Sequence, residues 1–440
     1  MQFRRLDRFV HPMLKRKLQQ LIFKVVHIKP NEIRATLLSF CFVFLLMTAY
    51  FILRPLRDAM SSDWSDPELS WLWTSTFFFS FIAVTLYGAI ISRVKLKYVV
   101  PGVYIFFSLS FILFYLFAAV TPDPDFLNKC FYVWLSVFSL FHVSVFWSFI
   151  SNLFSTEQAP RLFSFIASGA SIGAIFGPAI PILFASDLGV MNLLLIAAVI
   201  LLLPVPIINH LESLKNTELG NKNLDIKRSS KKLEKDLLSG FLTLIKDPYL
   251  VSIGVFILLY VAMNTFIYFE LRKFLIDFDS NTRTQIWASI DLAVNLLAIT
   301  TAIFATSRIA TRFGMPITLA IIPLLMIFGW MAVAVSPVLM VLIGLQILRR
   351  AGNYAITKPG REMLFTMVSN EARYKAKPVI DIVIYRGGDM LTAWFYTLLT
   401  ASFGLGLNLI ALIAACLASL WAFTGVYLGR KYNIQKDIVI

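Results

Sequence analysis

Apolar residues along the chain gather into twelve long runs separated by polar breaks, at 36–57, 70–92, 99–120, 127–153, 161–185, 190–209, 248–271, 284–305, 315–335, 337–357, 377–403 and 406–428. A helix rises about 1.5 Å per residue, so roughly 20 residues cross the ~30 Å hydrocarbon core of a bilayer. Each run meets that length. The two-residue alternation of an outer-membrane barrel does not occur. The pattern predicts an all-α polytopic membrane protein with 12 transmembrane helices.

The longest polar break, 210–247, holds the sequence KRSSKKLEK and divides the runs six and six. This sets the expected organisation: a basic N-terminal segment 1–34, a six-helix bundle 35–209, a cytoplasmic linker 210–247, a second bundle 248–429 and a tail 430–440. The halves echo one another. Tyr50–Phe51–Ile52–Leu53–Arg54 in the first run matches Tyr268–Phe269–Glu270–Leu271–Arg272 in the seventh. Ser92–Arg93–Val94 matches Ser307–Arg308–Ile309, and Glu157 has a counterpart in Glu371. Three matches in one order, each six runs apart, point to parallel repeats of the major-facilitator kind, hence two six-helix bundles.

Of the 440 residues, 58% are hydrophobic, beyond the half that soluble domains reach. The net charge of +15 would suggest nucleic acid in a soluble chain. Here the excess lies in alternate loops, which reads as the positive-inside rule, and nucleic acid is not an expected partner. Arg93, Lys95, Lys97, Arg161, Arg308, Arg312, Lys358, Arg361, Arg430 and Lys431 mark one side, while Asp63, Asp66, Glu68, Asp123, Asp125 and Asp187 mark the other. Both termini are therefore expected in the cytoplasm, with the chain multi-pass in a bacterial inner membrane. Residues 1–34 superficially resemble a transit peptide. Val10, Leu14, Leu18, Leu21, Ile22 and Val25 nevertheless share a helical face, which fits an amphipathic helix on an anionic leaflet better. Asn31 is placed to cap the helix that follows. The three cysteines form neither a disulfide framework nor a zinc spacing.

The stretch 345–390 carries the strongest chemical signal. It reads LQILRRAGNYAITKPGREMLF, a short polar link, then YKAKPVIDIVIYRGGDM. An ionisable group inside a bilayer costs at least ~2.5–3.5 kcal/mol and needs a partner or a wet cavity. Arg350, Arg386 and Asp389 fall on the order of 10–18 Å deep, where transporters keep their solute sites. Arg349 is adjacent to Arg350 and so points about 100° away from it, and Asn353 shares its face. Tyr354 and Tyr385 are positioned to stack on a ring, and Asp381 lies a little nearer the cytoplasm. Guanidinium groups suit phosphate or carboxylate and stay charged when buried. The competing reading is Arg–Asp pairs that lock helices ten, eleven and eight together.

Other polar positions carry two readings each. Arg54, Arg57 and Asp58 surround Pro55, expected to break or kink the first helix, and form either an anion gate or a snorkelling local pair. Glu270 and Arg272 suit a gate between the halves or interface anchoring. Asp291, one turn from Asn295, is either a proton site or a partner for an arginine. His142 is either a proton relay or, more simply, a packed histidine. Gly169, Gly173 and Gly177 read as close helix packing. Walker A, GxSxG and HExxH motifs are missing from the sequence, and no metal-ligand cluster or cofactor is implied, so a fixed catalytic enzyme is not expected.

With these residues in place, the chain resembles the ATP/ADP translocase family, the nucleotide transporters of plastids and obligate intracellular bacteria. In YFILRPLRDAM, Arg54 falls on the arginine of the family's first-helix motif, Arg57 on its lysine and Asp58 on its second aspartate. Phe146, Trp147, Glu157, Arg161, Gly169 and Gly173 hold matching places between the fourth and fifth helices. Tyr354, Lys358, Glu362, Lys375, Lys377, Ile380 and Asp381 do so between the tenth and eleventh. The family's glutamate in the seventh helix is Ile267 here, with Glu270 one turn later, its fourth-to-fifth-helix glutamate is apolar, and its eleventh-helix lysine falls at or near Asp389. The resemblance implies twelve helices, solute transport and an anionic substrate.

The expectation is thus an alternating-access carrier of an anionic, nucleotide-like or phosphorylated solute, with a monomer as the default. Arg54, Arg57, Arg349, Arg350, Asn353 and Arg386 are expected to bind the solute. Asp58, Glu270, Asp291, Asp381 and Asp389 are expected to gate or couple. Two rivals are a proton-coupled exporter or importer of another metabolite or drug, and a non-transporting sensor. The sensor would want a soluble module, for which 210–247 is short.

Overall fold

The computed structural model describes residues 28–221 and 237–439, apart from Ser92, Thr156, Asn370, Glu371, Arg373, Tyr374, Lys375 and Pro378. The amphipathic face expected before residue 28, the KRSSKKLEK run and the repeat partner Glu371 lie outside the described residues.

Every element among the described residues is helical. The first half comprises α1 (Ile33–Met60), α2 (Asp66–Ile91), α3 (Leu96–Val120), α4 (Asp125–Leu153), α5 (Ala159–Leu188) and α6 (Val190–Leu202, continued by Pro204–Thr217). A linker helix, Leu237–Lys246, leads to α7 (Pro248–Phe274), α8 (Ser280–Thr301) and α9 (Ser307–Val335). Then α10 runs Leu339–Gly352, a π turn Asn353–Thr357 and Lys358–Leu364. Next, α11 runs from a π segment Val379–Ile384 through Tyr385–Thr397 to a second π turn, Leu398–Ser402, and α12 is Leu407–Val439. Ten helices are continuous, long and apolar enough to span a membrane. The other two expected spans, α10 and α11, are built in pieces, and each places charged side chains in its middle, Arg349 and Arg350 on α10 and Arg386 and Asp389 on α11. A π turn inserts one extra residue per turn and commonly marks functional sites.

Two local expectations are corrected. Pro55 neither breaks nor ends α1, which stays helical through it to Met60. The first-turn amides of α1 are served by a preceding 3-10 turn, Pro30–Glu32, while the Asn31 amide reaches the Glu218 carbonyl at 3.1 Å instead of capping. Asp279 does cap α8: it accepts from the Thr282 hydroxyl and the Thr282 and Asn281 backbone amides, which holds its carboxyl below the usual range.

Each half buries its own core. Phe42, Phe138, Phe146 and Ile166 lie in one, and Phe256, Trp330, Ala414 and Trp421 in the other. Within the first half α1 and α5 pack backbone to backbone. A Cβ added at Gly169, Gly173 or Gly177 would meet Phe40 O at 2.6 Å, Phe44 O at 2.4 Å or the Phe51 Cβ at 2.6 Å. The glycine spacing is therefore a packing device, because lipid supplies no hydrophobic drive between helices and contact must come from close approach.

The two halves meet along α5 with α8 and α2 with α11. Asn295 donates to the Ala174 carbonyl at 2.8 Å, Gln285 to the Ile182 carbonyl at 3.1 Å, and Trp394 to the Thr74 hydroxyl at 2.9 Å. We call the end where α1 turns into α2 distal and the end where α1 begins proximal. At the distal end Arg272 pairs with Asp66 and donates to the Ser61 and Trp64 carbonyls, Lys273 pairs with Asp66 at 3.0 Å, and Arg283 pairs with Asp63. All three join one half to the other. At the proximal end the ion pairs seen stay within a half: Arg161 with Glu32 at 2.9 Å, and Lys377 with Glu362 at 2.5 Å.

Gly173→Ala is expected to push α1 from α5 and to cost about 1–3 kcal/mol, as overpacking does. Gly102, whose added Cβ would meet nothing within 4 Å, is the control, and Gly102→Ala should be neutral to slightly stabilising. Thermal unfolding of the purified variants in detergent checks both.

Candidate functional site

Where the halves meet, about midway along the helices, they enclose a cavity of about 230 Å³ lined by α1, α2, α4, α7, α10 and α11. One water needs only about 10–15 Å³ of such space, so the cavity has room for a small solute. Five guanidinium groups reach its wall: Arg54, Arg57, Arg349, Arg350 and Arg386. Tyr50, Trp73, Phe77, Tyr132, Tyr260, Tyr268, Tyr354 and Tyr385 supply aromatic wall.

The charges form a chain. Arg57 holds Asp58 at 2.6 Å and its ring neighbour Tyr132 at 5.4 Å, and Tyr268 from the other half donates to Asp58 at 3.2 Å. Arg54 reaches Asp58 at 3.5 Å and then crosses the seam to Asp291 at 3.7 Å. Asp291, halfway along the 22 residues of α8, forms an ion pair within its own half with Arg350 at 2.5 Å, with no hydrogen bond between them. On α11, Arg386 lies 3.8 Å from Asp389 but turns its other nitrogen across the seam to the Ser139 hydroxyl at 3.2 Å. Breaking one side of such a buried pair costs roughly 3–5 kcal/mol, since the orphaned charge stays in low dielectric.

Arg349 is different. It is 1% exposed, yet among the described residues no carboxylate lies within ion-pair distance of it. Its Nη2 donates to Asn264 at 2.7 Å and Gln346 at 3.0 Å, it lies over the Tyr260 ring at 5.3 Å, and its Nε and Nη1 have no acceptor within the protein. Five arginines face three aspartates (58, 291 and 389) around this centre, which leaves two positive charges uncompensated.

Of the expected site residues, Arg54, Arg57, Arg349, Arg350, Arg386, Asp58 and Asp389 all line the cavity, and Asp291 stands directly behind them. Asn353 starts the α10 π turn and is not in the wall. Asp381 lies apart, 3.4 Å from Arg361 in a cluster with Glu362 and Lys377, because the π segment carries it toward the proximal end. Glu270 is no gate partner of Arg54. It turns to the Tyr396 hydroxyl inside its own half, while its neighbour Arg272 makes the cross-half contacts. His142 is buried and stacked on Tyr50 at 4.2 Å, the packed alternative of the two weighed for it. Asn264, Gln346 and Tyr260 escaped sequence reasoning. Gln346 lies one helical turn before Arg349 and Arg350, a spacing that could have flagged it, whereas Asn264 sits alone in an apolar run.

Two six-helix halves around a central, charged cavity define a solute carrier of the major-facilitator type. The sequence pattern of the Major Facilitator Superfamily matches residues 37–373, and the chain belongs to that family. Among curated proteins none matches the chain. Among solved structures, the nucleoside transporter NupG is similar at a TM-score of 0.63 and 16% identity, over 90% of this chain and 99% of that one. The inward open conformation of the xylose transporter XylE from E. coli is similar at 0.60 and 12%, over 88% and 94%. A bacterial homolog to the human lysosomal transporter Spinster, inward-facing and unoccupied, is similar at 0.54 and 13%, over 93% and 96%. At these identities the likeness is one of fold.

Replacing Arg272 by Gln is expected to unseal the distal mouth. A lost buried partner is worth roughly 3–5 kcal/mol to the closed seam, so a cysteine at Ser136 in the cavity wall should react at least about tenfold faster with an impermeant thiol reagent applied distally. The assay uses a chain whose 3 native cysteines are replaced.

Proposed function

We propose that this protein is an alternating-access secondary transporter of an anionic small solute, nucleotide-like or otherwise phosphorylated. The observation that carries the reading is Arg349: a buried guanidinium in the cavity wall, held by two amide side chains, with two nitrogens unused and no carboxylate to neutralise it. A charge in that position is tolerable when the cavity is wet, and it becomes useful when the cargo is an anion. The aromatic wall suits a planar ring beside the anion, and Tyr354 and Tyr385 are the residues to flank it. The resemblance to ATP/ADP translocases in the first helix and around residues 354–381 favours a nucleotide over a sugar or a drug, whereas the fold likeness extends to a nucleoside transporter and a xylose transporter alike and does not choose between them. Ile267 at the place of that family's glutamate, and Asp389 near that of its lysine, argue that the cargo differs from ATP and ADP.

We infer from the alternating loop charges that the proximal end and both termini face the cytoplasm, the membrane being a bacterial inner membrane. In that orientation the sealed distal seam belongs to an inward-facing state. Binding would draw the halves together around the solute, and release of Arg272, Lys273 and Arg283 from Asp66 and Asp63 would open the other face.

A second reading is proton-coupled transport of a non-nucleotide metabolite or drug. Asp389 favours it, since its Oδ1 has no hydrogen bond and its arginine is 3.8 Å away.

The test is thermal unfolding of the detergent-purified protein against AMP, ADP, ATP, GTP, orthophosphate, sugar phosphates and nucleosides. A ligand at ~100 times its Kd adds about 2.7 kcal/mol to the native state. A phosphorylated ligand is expected to stabilise, and Arg349→Gln to weaken that ligand by about 10- to 150-fold, the worth of a charge-assisted hydrogen bond of ~1.5–3 kcal/mol. No stabilisation by any anion, with an intact unfolding transition, would overturn the reading.

A further inference from the structure

The seam of a carrier that binds anions contains a problem of charge. Arg54 belongs to the first half and Arg350 to the second. Both reach the same oxygen, Asp291 Oδ1, at 3.7 and 2.5 Å, so their nearest nitrogens lie no farther apart than those two distances together. Were Asp291 uncharged, two buried guanidiniums on opposite halves would face one another in low dielectric and repel. A carrier with only cations across its seam needs a solute anion between them before the halves can come together. A carrier that supplies its own anion does not.

We propose that Asp291 is a built-in counter-ion, standing where a solute charge would otherwise be required between Arg54 and Arg350, and that it lets the empty carrier pass between its two faces. The protein then performs net transport rather than obligatory exchange. The inference rests on the anion-transport reading above and deepens it.

Three features of the site support this. Asp291 is 1% exposed and lies behind the cavity wall, so an incoming solute does not displace it. Asp291 and Arg350 both belong to the second half and travel together, so a rocking motion about the midplane strains only the longer Arg54 contact, the one that can stretch. The cation left for the solute, Arg349, faces amides of its own half, Asn264 and Gln346. The other cavity arginines are already answered, Arg57 by Asp58 at 2.6 Å within its own half and Arg386 by Asp389 and Ser139. The empty seam is thus free of opposed, unpaired cations.

The deciding experiment needs no solute. In the cysteine-replaced full chain, paired spin labels at the exposed positions 187 and 277 report on the distal end, and labels at 93 and 308 on the proximal end. Pulsed-EPR distances are then collected from the empty protein in nanodiscs. The wild type is expected to show both a short and a long distance at each end. Asp291→Asn should keep one set only, Asp291→Glu should recover both, and Asp291→Asn combined with Arg350→Gln should also recover both, because the repelling charge has gone. An empty wild type held in a single state overturns the proposal even where Asp291→Asn cannot be purified, as does an Asp291→Asn protein that samples both states like its parent. In proteoliposomes, radiolabelled AMP adds a functional arm. The ratio of net AMP uptake to AMP counterflow should fall at least tenfold in Asp291→Asn, and an unchanged ratio counts against the proposal. A wild type that moves AMP in neither mode strikes at the nucleotide reading instead, and the empty-state distances still decide this one.

Discussion

A buried guanidinium in a membrane must be answered by another charge or face a wet cavity, and most of this protein's centre is arranged around that requirement. Asp291 answers Arg350 and reaches Arg54, Asp58 answers Arg57 and reaches Arg54 in turn, and Asp389 stands near Arg386. The chain of pairs runs through both halves. It sets where α1, α8 and α10 meet, and it leaves one cation, Arg349, answered only by amides. Apolar packing alone would not choose this arrangement, because in lipid one apolar contact is nearly as good as another.

The same requirement explains the broken helices. α10 and α11 carry three of the cavity's five arginines, and both are interrupted by π turns. Irregular backbone at membrane depth is tolerated where protein or water covers it. Here the π turn of α10 begins at Asn353, just beyond Arg349 and Arg350, and the π segment of α11 ends at Ile384, just before Arg386. Below that level the cluster of Arg361, Glu362, Lys377 and Asp381 belongs to the proximal end and to one half, so it stabilises that half without bridging the seam.

Rigidity and mobility are divided accordingly. Within the first half the glycine stripe lets α5 approach α1 to backbone contact, which leaves no room for sliding. Between the halves, the contacts from the distal turns to the centre combine ion pairs and single hydrogen bonds to carbonyls and hydroxyls with a few aromatic contacts, Trp71 on Trp394 and Trp73 on Tyr268 and Phe269. Such contacts can be exchanged for others at modest cost, as reversible opening demands. Rigid halves and a seam held in large part by exchangeable polar contacts are the physical basis for treating the halves as moving bodies.

The apolar runs by themselves determined the membrane class and the all-helical architecture, ten of the twelve forming continuous helices long enough to span, because a bilayer demands about 20 apolar residues per helix whatever the neighbours are. They also exposed Arg54, Arg349, Arg350, Asp291, Arg386 and Asp389, since a charge in such a run is conspicuous. Which charges pair was not in the sequence. Asp291 is 59 residues from Arg350 and in the other half from Arg54, and only the packing of α8 against α1 and α10 joins them. Local sequence misled at Pro55, through which α1 stays helical, and at Glu270 and Asp381, expected to gate or couple, whose side chains turn to Tyr396 and Arg361 and away from the cavity. Asn264 and Gln346 were silent for the opposite reason: uncharged amides raise no alarm in an apolar run, and their importance came from the guanidinium that tertiary structure set beside them.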